Sequence, residues 1–159
     1  MRRSYGMTGT PLPPGTGGRT AAVMRGRLAC HAWTMDGTLL SATEVAAGWG
    51  ITVAEVLAIE ARGGVFSLLV DNQAWYPAFY LDQRYRRTDL EAVTALLGDI
   101  SSGAKWLFFT TQKASLTAWN AERHAGRSQA AIRARTPLQA LEDGDLDRVK
   151  RTATGYAER

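Results

Sequence analysis

The side chains that most often carry enzyme chemistry are scarce in this chain of 159 residues. Cys30 is its one cysteine, and His31 and His124 are its two histidines, so a closed zinc site would lack ligands. Cys30 and His31 are adjacent, but no third residue beside them would orient the pair for nucleophilic catalysis. We therefore expect a binding protein without catalytic residues, bound metal or cofactor, rather than an enzyme.

Two other segments suggest ligand chemistry but have a local explanation. Residues 13–20 are similar to a phosphate-binding loop, yet Arg19 stands where that loop needs lysine and no apolar strand precedes it. The acidic residues between 142 and 147 lie at a junction of two expected helices, where capping and the helix dipole account for them. Neither segment predicts a bound nucleotide or cation.

Charge is distributed unevenly along the chain. Residues 1–30 have a net charge of +5, residues 31–82 of −5, and residues 83–159 of +4. A basic arm beside an acidic module indicates charged partners and bears directly on any interaction with nucleic acid.

The composition favours the cytoplasm. A single cysteine is typical of a reducing compartment, because an internal disulfide framework is impossible. No apolar run approaches the roughly 18 residues that a membrane span needs, and Arg2 and Arg3 are not followed by an apolar signal segment. We expect a cytoplasmic protein with no membrane partner.

We expect the first structural unit to span residues 24–84. It follows a Gly- and Pro-rich tail, residues 1–23, that we expect to be flexible. Capping-box pairs open two helices, Ser41 with Glu44 and Thr52 with Glu55, and Gly50 lies in the turn between them. Residues 65–70 and 74–76 are rich in β-branched and aromatic residues and predict a hairpin that Pro77 closes.

The two helices resemble the helix-turn-helix of bacterial regulators. A small residue at the helix contact, a glycine four positions later and apolar core positions on either side carry the resemblance: Ala46, Gly50, Ile51, Val56 and Ile59. With the hairpin, the unit resembles winged domains of the excisionase and MerR classes. Two ordinary packed helices are the alternative.

DNA binding by this unit is an open question at the level of sequence. The second helix would present Thr52 and Ala54 to a groove but no Arg, Lys, Asn or Gln that could read a base edge. Affinity for a promoter would then depend on phosphate contacts from flanking arginines. The candidate DNA-binding residues are Arg25, Arg27, Thr52, Ala54, Arg62, Arg84, Arg86 and Arg87.

A second, helical unit is expected over residues 88–159. Thr88 with Glu91 should cap a helix that ends at Gly98, and Ser102 should cap the next. Residues 112–131 are ambiguous between helix and loop.

The end of this unit has the clearest local signals. Thr136 as N-cap, Pro137 at the first helical position and Gln139 reaching back predict a helix that Gly144 stops. Asp145 should cap a last helix, whose apolar face has Leu146, Val149, Ala153 and Tyr156.

Three stretches of this unit resemble the toxin-binding domain of Xre/MbcA/ParS-type antitoxins. They are residues 106–111, Leu116 and residues 135–149, with the most specific match at Thr136-Pro137-Leu138, Leu141, Gly144 and Val149. The resemblance covers roughly residues 88–157 and the order of the two units. About 14 residues between Thr117 and Ala131 look inserted relative to the family.

The resemblance implies the antitoxin of a type II toxin–antitoxin module. Such a protein binds a RES-domain toxin that attacks the nicotinamide dinucleotide, regulates its own operon and forms homo-oligomers. The implied toxin-binding residues are Trp106, Phe109, Arg135, Thr136, Pro137, Leu138, Leu141 and Arg148. The alternative is a DNA-binding regulator or excisionase-like factor whose C-terminal domain oligomerises; in either case the fold is mainly α.

Overall fold

The computed structural model describes residues 16–118 and 133–159. The described part is mainly helical, with two small antiparallel sheets. Its elements in chain order are α1 (Thr16–Met35), β1 (Leu39–Ser41), α2 (Ala42–Trp49), α3 (Val53–Ala61), β2 (Leu68–Val70), β3 (Gln73–Pro77), a 3₁₀ turn (Ala78–Leu81), α4 (Arg87–Leu96), α5 (Ser102–Thr110), β4 (Lys113–Ala118), β5 (Arg133–Arg135), α6 (Pro137–Glu142) and α7 (Leu146–Ala157).

The helix pair α2 and α3 forms as its local sequence predicts. Both capping boxes are present: Ser41 Oγ accepts from the Glu44 amide at 3.2 Å, and Thr52 Oγ1 from the Glu55 amide at 3.2 Å. Gly50 ends α2 at φ 67°, a left-handed conformation that costs glycine little. Among the described residues no single helix has the length and apolarity to cross a membrane; α2 and α3 together reach both, but they are bent by 101°.

The predicted hairpin is the strand pair β2–β3, joined by a tight turn. Asp71 and Asn72 both have positive φ, 51° and 61°, which is the conformation of the hairpin turn that matches strand twist. β3 also pairs with β1, Leu39 opposite Pro77, so the sheet order is β1-β3-β2. The strand β1 was not expected, because its three residues are too few for a visible alternation.

The first helix corrects the predicted tail. α1 begins at Thr16, so residues 16–23, expected to be flexible, belong to a helix of 20 residues. Cys30 and Trp33 pack one side of it against the core, whereas Met24, Leu28 and Met35 are exposed. Residues 1–15 lie outside the described part of the chain.

The second half differs from expectation at several helix starts. Arg86 is the N-cap of α4 without a side-chain bond, and Glu91 pairs with Arg87 instead of closing a box with Thr88. Ser101, one residue earlier than expected, caps α5. The ambiguous residues 112–131 begin with the strand β4, and residues 119–132, which hold most of the predicted insertion, lie outside the described chain.

The two expected units share one continuous apolar core. Phe109 of α5 stacks on Phe66 at 6.2 Å between centroids and lies 5.0 Å from Phe79. The Tyr80 hydroxyl hydrogen-bonds Thr94 Oγ1 of α4 at 2.8 Å, and burial raises the pKa of Tyr80. Because aromatic rings from both halves interlock, neither half has a complete core alone.

Candidate functional site

The segment that resembles an antitoxin centres on Arg135, the last residue of β5. Its side chain is buried, at 9% exposure, and its guanidinium donates to three acceptors. These are the Leu116 carbonyl at 2.8 Å, Asp143 at 2.7 Å and Asp145 at 2.8 Å. Burial opposes the charge, but the hydrogen bonds to the two carboxylates outweigh it and raise the pKa of Arg135. Arg135 thus joins β4 to the α6–α7 turn.

Arg148 has a similar structural role on the other edge of β4. It donates to the carbonyls of Ser115 at 2.8 Å and Thr117 at 3.0 Å, and lies 3.4 Å from Asp145. A strand edge leaves such carbonyls open, and here a side chain satisfies them. Asp145 is the N-cap of α7 but makes no side-chain cap bond, because its carboxylate pairs with the two arginines instead.

Half of the implied toxin-binding residues lie inside the protein. Phe109, Arg135, Pro137 and Leu141 are buried, so their side chains stabilise the fold. The other four keep part of their surface exposed, namely Trp106, Thr136, Leu138 and Arg148. A partner of the folded chain would therefore contact these four and their exposed neighbours.

The α6 helix itself begins as predicted. Thr136 Oγ1 accepts from the Gln139 amide at 3.1 Å, and Gln139 Oε1 accepts from the Thr136 amide at 2.9 Å. Gly144 follows α6 at φ 81°, and the buried Val149 then holds α7 on the core. The N-cap, the left-handed glycine and the buried valine that this motif predicts are therefore all present.

A cleft of about 550 Å³ lies between β4 and α7. Its walls carry four basic side chains, Lys113, Arg148, Arg151 and Arg159, and none of its described lining residues is acidic. Sequence reasoning missed this cleft, because its residues come from two elements whose packing no local pattern predicts.

The Lys113 ammonium is held against aromatic rings at the edge of this cleft. It lies 4.7 Å from the centroid of Tyr156 and 5.7 Å from that of Phe108, and donates to Thr111 Oγ1 at 2.8 Å. Burial, followed by the charge of Arg159, lowers the pKa of Lys113. The cleft thus concentrates positive charge.

The expected recognition helix α3 presents an apolar face. Leu57 and Val53 are 49% and 38% exposed, and Thr52 and Ala54 are exposed beside them. Glu60 points away from this face, accepting from the Ser67 and Tyr76 hydroxyls at 2.5 Å each. Burial and the Glu60 carboxylate raise the pKa of Tyr76. Between Val53 and Ala61 this face has no Arg, Lys, Asn or Gln, the residues that make bidentate contacts with base edges.

The candidate phosphate-binding arginines fall into two groups. Arg84 pairs with Asp82 at 2.8 Å and with Glu142 at 3.7 Å, and its hydrogen bonds lower the pKa of Asp82. Arg87 pairs with Glu91 at 2.8 Å and stacks 3.9 Å from the Trp49 ring. Of these candidates, Arg25, Arg27, Arg62 and Arg86 are exposed and make no ion pair within the described chain.

The residues considered for catalysis are not brought together. Cys30 is half-buried on α1 and His31 is exposed beside it, while His124 lies outside the described residues. Within residues 16–118 and 133–159 no three His, Cys, Asp or Glu side chains are grouped so as to hold a metal ion.

Comparisons of the chain with protein-family models, with curated proteins and with solved structures gave no match. A functional assignment therefore depends on the residues described above and on the resemblance of residues 88–157.

Proposed function

We propose that this protein is the cytoplasmic antitoxin of a type II toxin–antitoxin module, which neutralises a RES-type toxin by direct binding through residues 88–159. The observation that carries the proposal is the motif Thr136-Pro137-Leu138 with Leu141, Gly144 and Val149. It resembles the toxin-binding domain of Xre/MbcA/ParS-type antitoxins, which follows a helix-turn-helix unit in that family.

In the structure, the residues of this motif form and hold the helix pair α6–α7. Thr136 caps α6, Pro137 and Leu141 are buried, Gly144 makes the left-handed turn, and Val149 anchors α7. Each of these requirements is structural, so the motif residues account for the helix pair α6–α7. The toxin would meet the exposed side chains around that pair.

Leu107 is the first such side chain that we assign to the toxin interface. It lies on α5, which packs against α6, and is 53% exposed, more than Leu96, the other exposed large apolar residue of this half. Leu107 and the neighbouring half-buried Trp106 supply apolar surface that a partner can cover.

Self-association is part of the same proposal. The exposed Met24, Leu28 and Met35 of α1 and the exposed Val53 and Leu57 of α3 supply apolar surface for a second copy. Oligomeric antitoxins bind operator DNA with several units at once, which would raise the affinity of a weak DNA-binding face.

The test is co-expression of the full chain with the RES-domain product of the neighbouring reading frame. Wild-type chain should restore growth and the dinucleotide level and should co-purify with the toxin. Leu107→Asp should weaken the complex by at least about tenfold, because interface centres tolerate charge poorly.

Leu69→Asp is the matched control, since Leu69 is 75% exposed on β2 and far from α6 in the chain. This variant should neutralise the toxin like wild type. Failure of the wild-type chain to bind or neutralise the toxin would overturn the proposal. Equal loss in both variants would move the interface to the hairpin.

A second candidate function, operon regulation, is supported by the bent pair α2–α3 followed by the β2–β3 hairpin, which is the layout of a winged helix-turn-helix. Binding would use Arg25, Arg27, Arg62 and Arg86. Alanine at any one of them should lower the slope of log affinity against log salt by about one unit on promoter DNA. Arg84→Ala should change it less, because Arg84 is paired with Asp82. Absence of binding to promoter DNA at low salt would exclude DNA from the function, and equal salt slopes for every variant would exclude these arginines as phosphate contacts.

A further inference from the structure

The cleft between β4 and α7 is lined by several hydrogen-bond donors. Lys113 and Arg159 supply charge at one end and Arg151 on α7 supplies more, while Gln112 adds an amide. Within the described chain Lys113, Arg151 and Arg159 make no ion pair. Like charges held together in a concave surface repel one another, and an anion relieves that repulsion.

The hydroxyls in the cleft have donor capacity left over. Ser115 Oγ and Thr152 Oγ1 lie 3.0 Å apart and share one hydrogen bond. Whichever hydroxyl accepts that bond keeps its own proton for another acceptor. Arg148 adds charge but few free donors, because it is bonded to the carbonyls of Ser115 and Thr117.

We propose that this cleft binds a phosphorylated small molecule, with Lys113, Arg151 and Arg159 around the phosphate oxygens and Ser115 or Thr152 donating to them. Phosphate is a multiply charged acceptor that several converging donors suit best. The volume of about 550 Å³ falls within the range of small-molecule sites rather than that of an extended groove for a polymer.

The geometry of Lys113 supports an anion at this position. Its ammonium is fixed by the rings of Tyr156 and Phe108, so little side-chain freedom is lost when an anion binds. The lowered pKa of Lys113 reflects burial and the nearby Arg159, and a bound phosphate would reverse the second effect.

The experiment is isothermal titration of the full chain with inorganic pyrophosphate at physiological ionic strength. We expect saturable binding that Lys113→Met and Arg151→Gln each weaken by about tenfold, the loss expected for one charged hydrogen bond. Lys150→Gln removes a positive charge from α7 outside the lining of the cleft and should leave the affinity unchanged.

Arg151 is exposed, so Arg151→Gln and Arg159→Gln keep the test valid if Lys113→Met lowers stability. Absence of pyrophosphate binding, or equal weakening by Lys150→Gln, would overturn the proposal. Tighter binding of an oligo-glutamate peptide than of pyrophosphate would also overturn it, in favour of an acidic polypeptide as the occupant. The titration contains no toxin, so its result does not depend on the antitoxin proposal.

Discussion

The helix pairs α2–α3 and α6–α7 follow the same local rules in the two halves of the chain. Each pair has a capping box, with Thr52 opening α3 and Thr136 opening α6, and each has a left-handed glycine after its first helix, Gly50 or Gly144. Their lengths and turns can therefore be predicted from a few residues.

The two pairs differ in how they are fastened to the rest of the molecule. In α3, Glu60 is an acceptor between two neutral hydroxyls, those of Ser67 and Tyr76, and so ties the helix to its own hairpin. In the second pair, Arg135 is a buried donor between two carboxylates and the carbonyl of Leu116. The same local code thus leads to opposite charge arrangements, which only the tertiary structure sets.

The largest effect should come from the core that joins the two halves. Phe109→Ala removes a fully buried ring in contact with Phe66 and Phe79, and should cost about 4 kcal/mol of the free energy of unfolding. Because the core is shared, circular dichroism and tryptophan fluorescence should give one coincident urea transition. Leu107→Ala, at an exposed neighbour, should cost less than about 0.5 kcal/mol. Two separate transitions in the wild-type protein would contradict a shared core.

A smaller loss is expected at the buried guanidinium. Arg135→Met should cost about 3 kcal/mol of the free energy of unfolding, because the Leu116 carbonyl loses a charged donor and Asp145 keeps only the longer contact with Arg148. The Asp143 side chain is 58% exposed and can hydrogen-bond water once the arginine is gone, so the loss of stability should be at the low end of the range for a broken buried ion pair. Arg135→Lys should restore only part of the lost stability, because the compact ammonium of lysine cannot reach the three acceptors that the guanidinium contacts. Chemical denaturation measures both.

The control is Arg151→Met, which changes an exposed arginine on α7 and should alter stability little. An Arg135→Met variant as stable as this control would mean that the ion pairs only offset the cost of burying the arginine. The two helix pairs would then be fastened mainly by apolar contacts.

Much of the backbone could be predicted because its signals are local. The boxes at Ser41, Thr52 and Thr136 and the Asp71-Asn72 turn each depend on residues within a few positions of one another. The strands β1 and β4 could not, because a short strand is stabilised by a partner distant in sequence.

The candidate site was harder to predict for the same reason. Arg135 and Arg148 are predicted from the sequence to contact the toxin. In the structure Arg135 is buried, and both side chains also hydrogen-bond carbonyls of β4. Burial is a property of the whole fold, and a motif in sequence does not reveal it. Lys113 and Arg151 meet in one cleft although nearly 40 residues separate them, so no spacing pattern marks the pair.

The smallest effect compares the two capping boxes directly. Thr52→Ala and Thr136→Ala each remove an N-cap oxygen, and substitution at such a position typically costs about 1 kcal/mol. The partner of Thr52 is Glu55, and its hydrogen bonds from the Thr52 amide and hydroxyl lower its pKa, whereas the partner of Thr136 is the neutral Gln139.

A lowered folded-state pKa stabilises the protein above the unfolded-state value, and this contribution disappears as pH falls through the folded-state value. The difference between wild type and Thr52→Ala should therefore shrink between neutral pH and about pH 3. The difference for Thr136→Ala should stay constant over the same range, because no titrating group takes part in its box. Urea midpoints across this range measure both differences. Parallel pH dependence of the two variants would show that the hydrogen bond from the Thr52 hydroxyl does not lower the pKa of Glu55, because the bond from the amide of residue 52 is kept in Thr52→Ala.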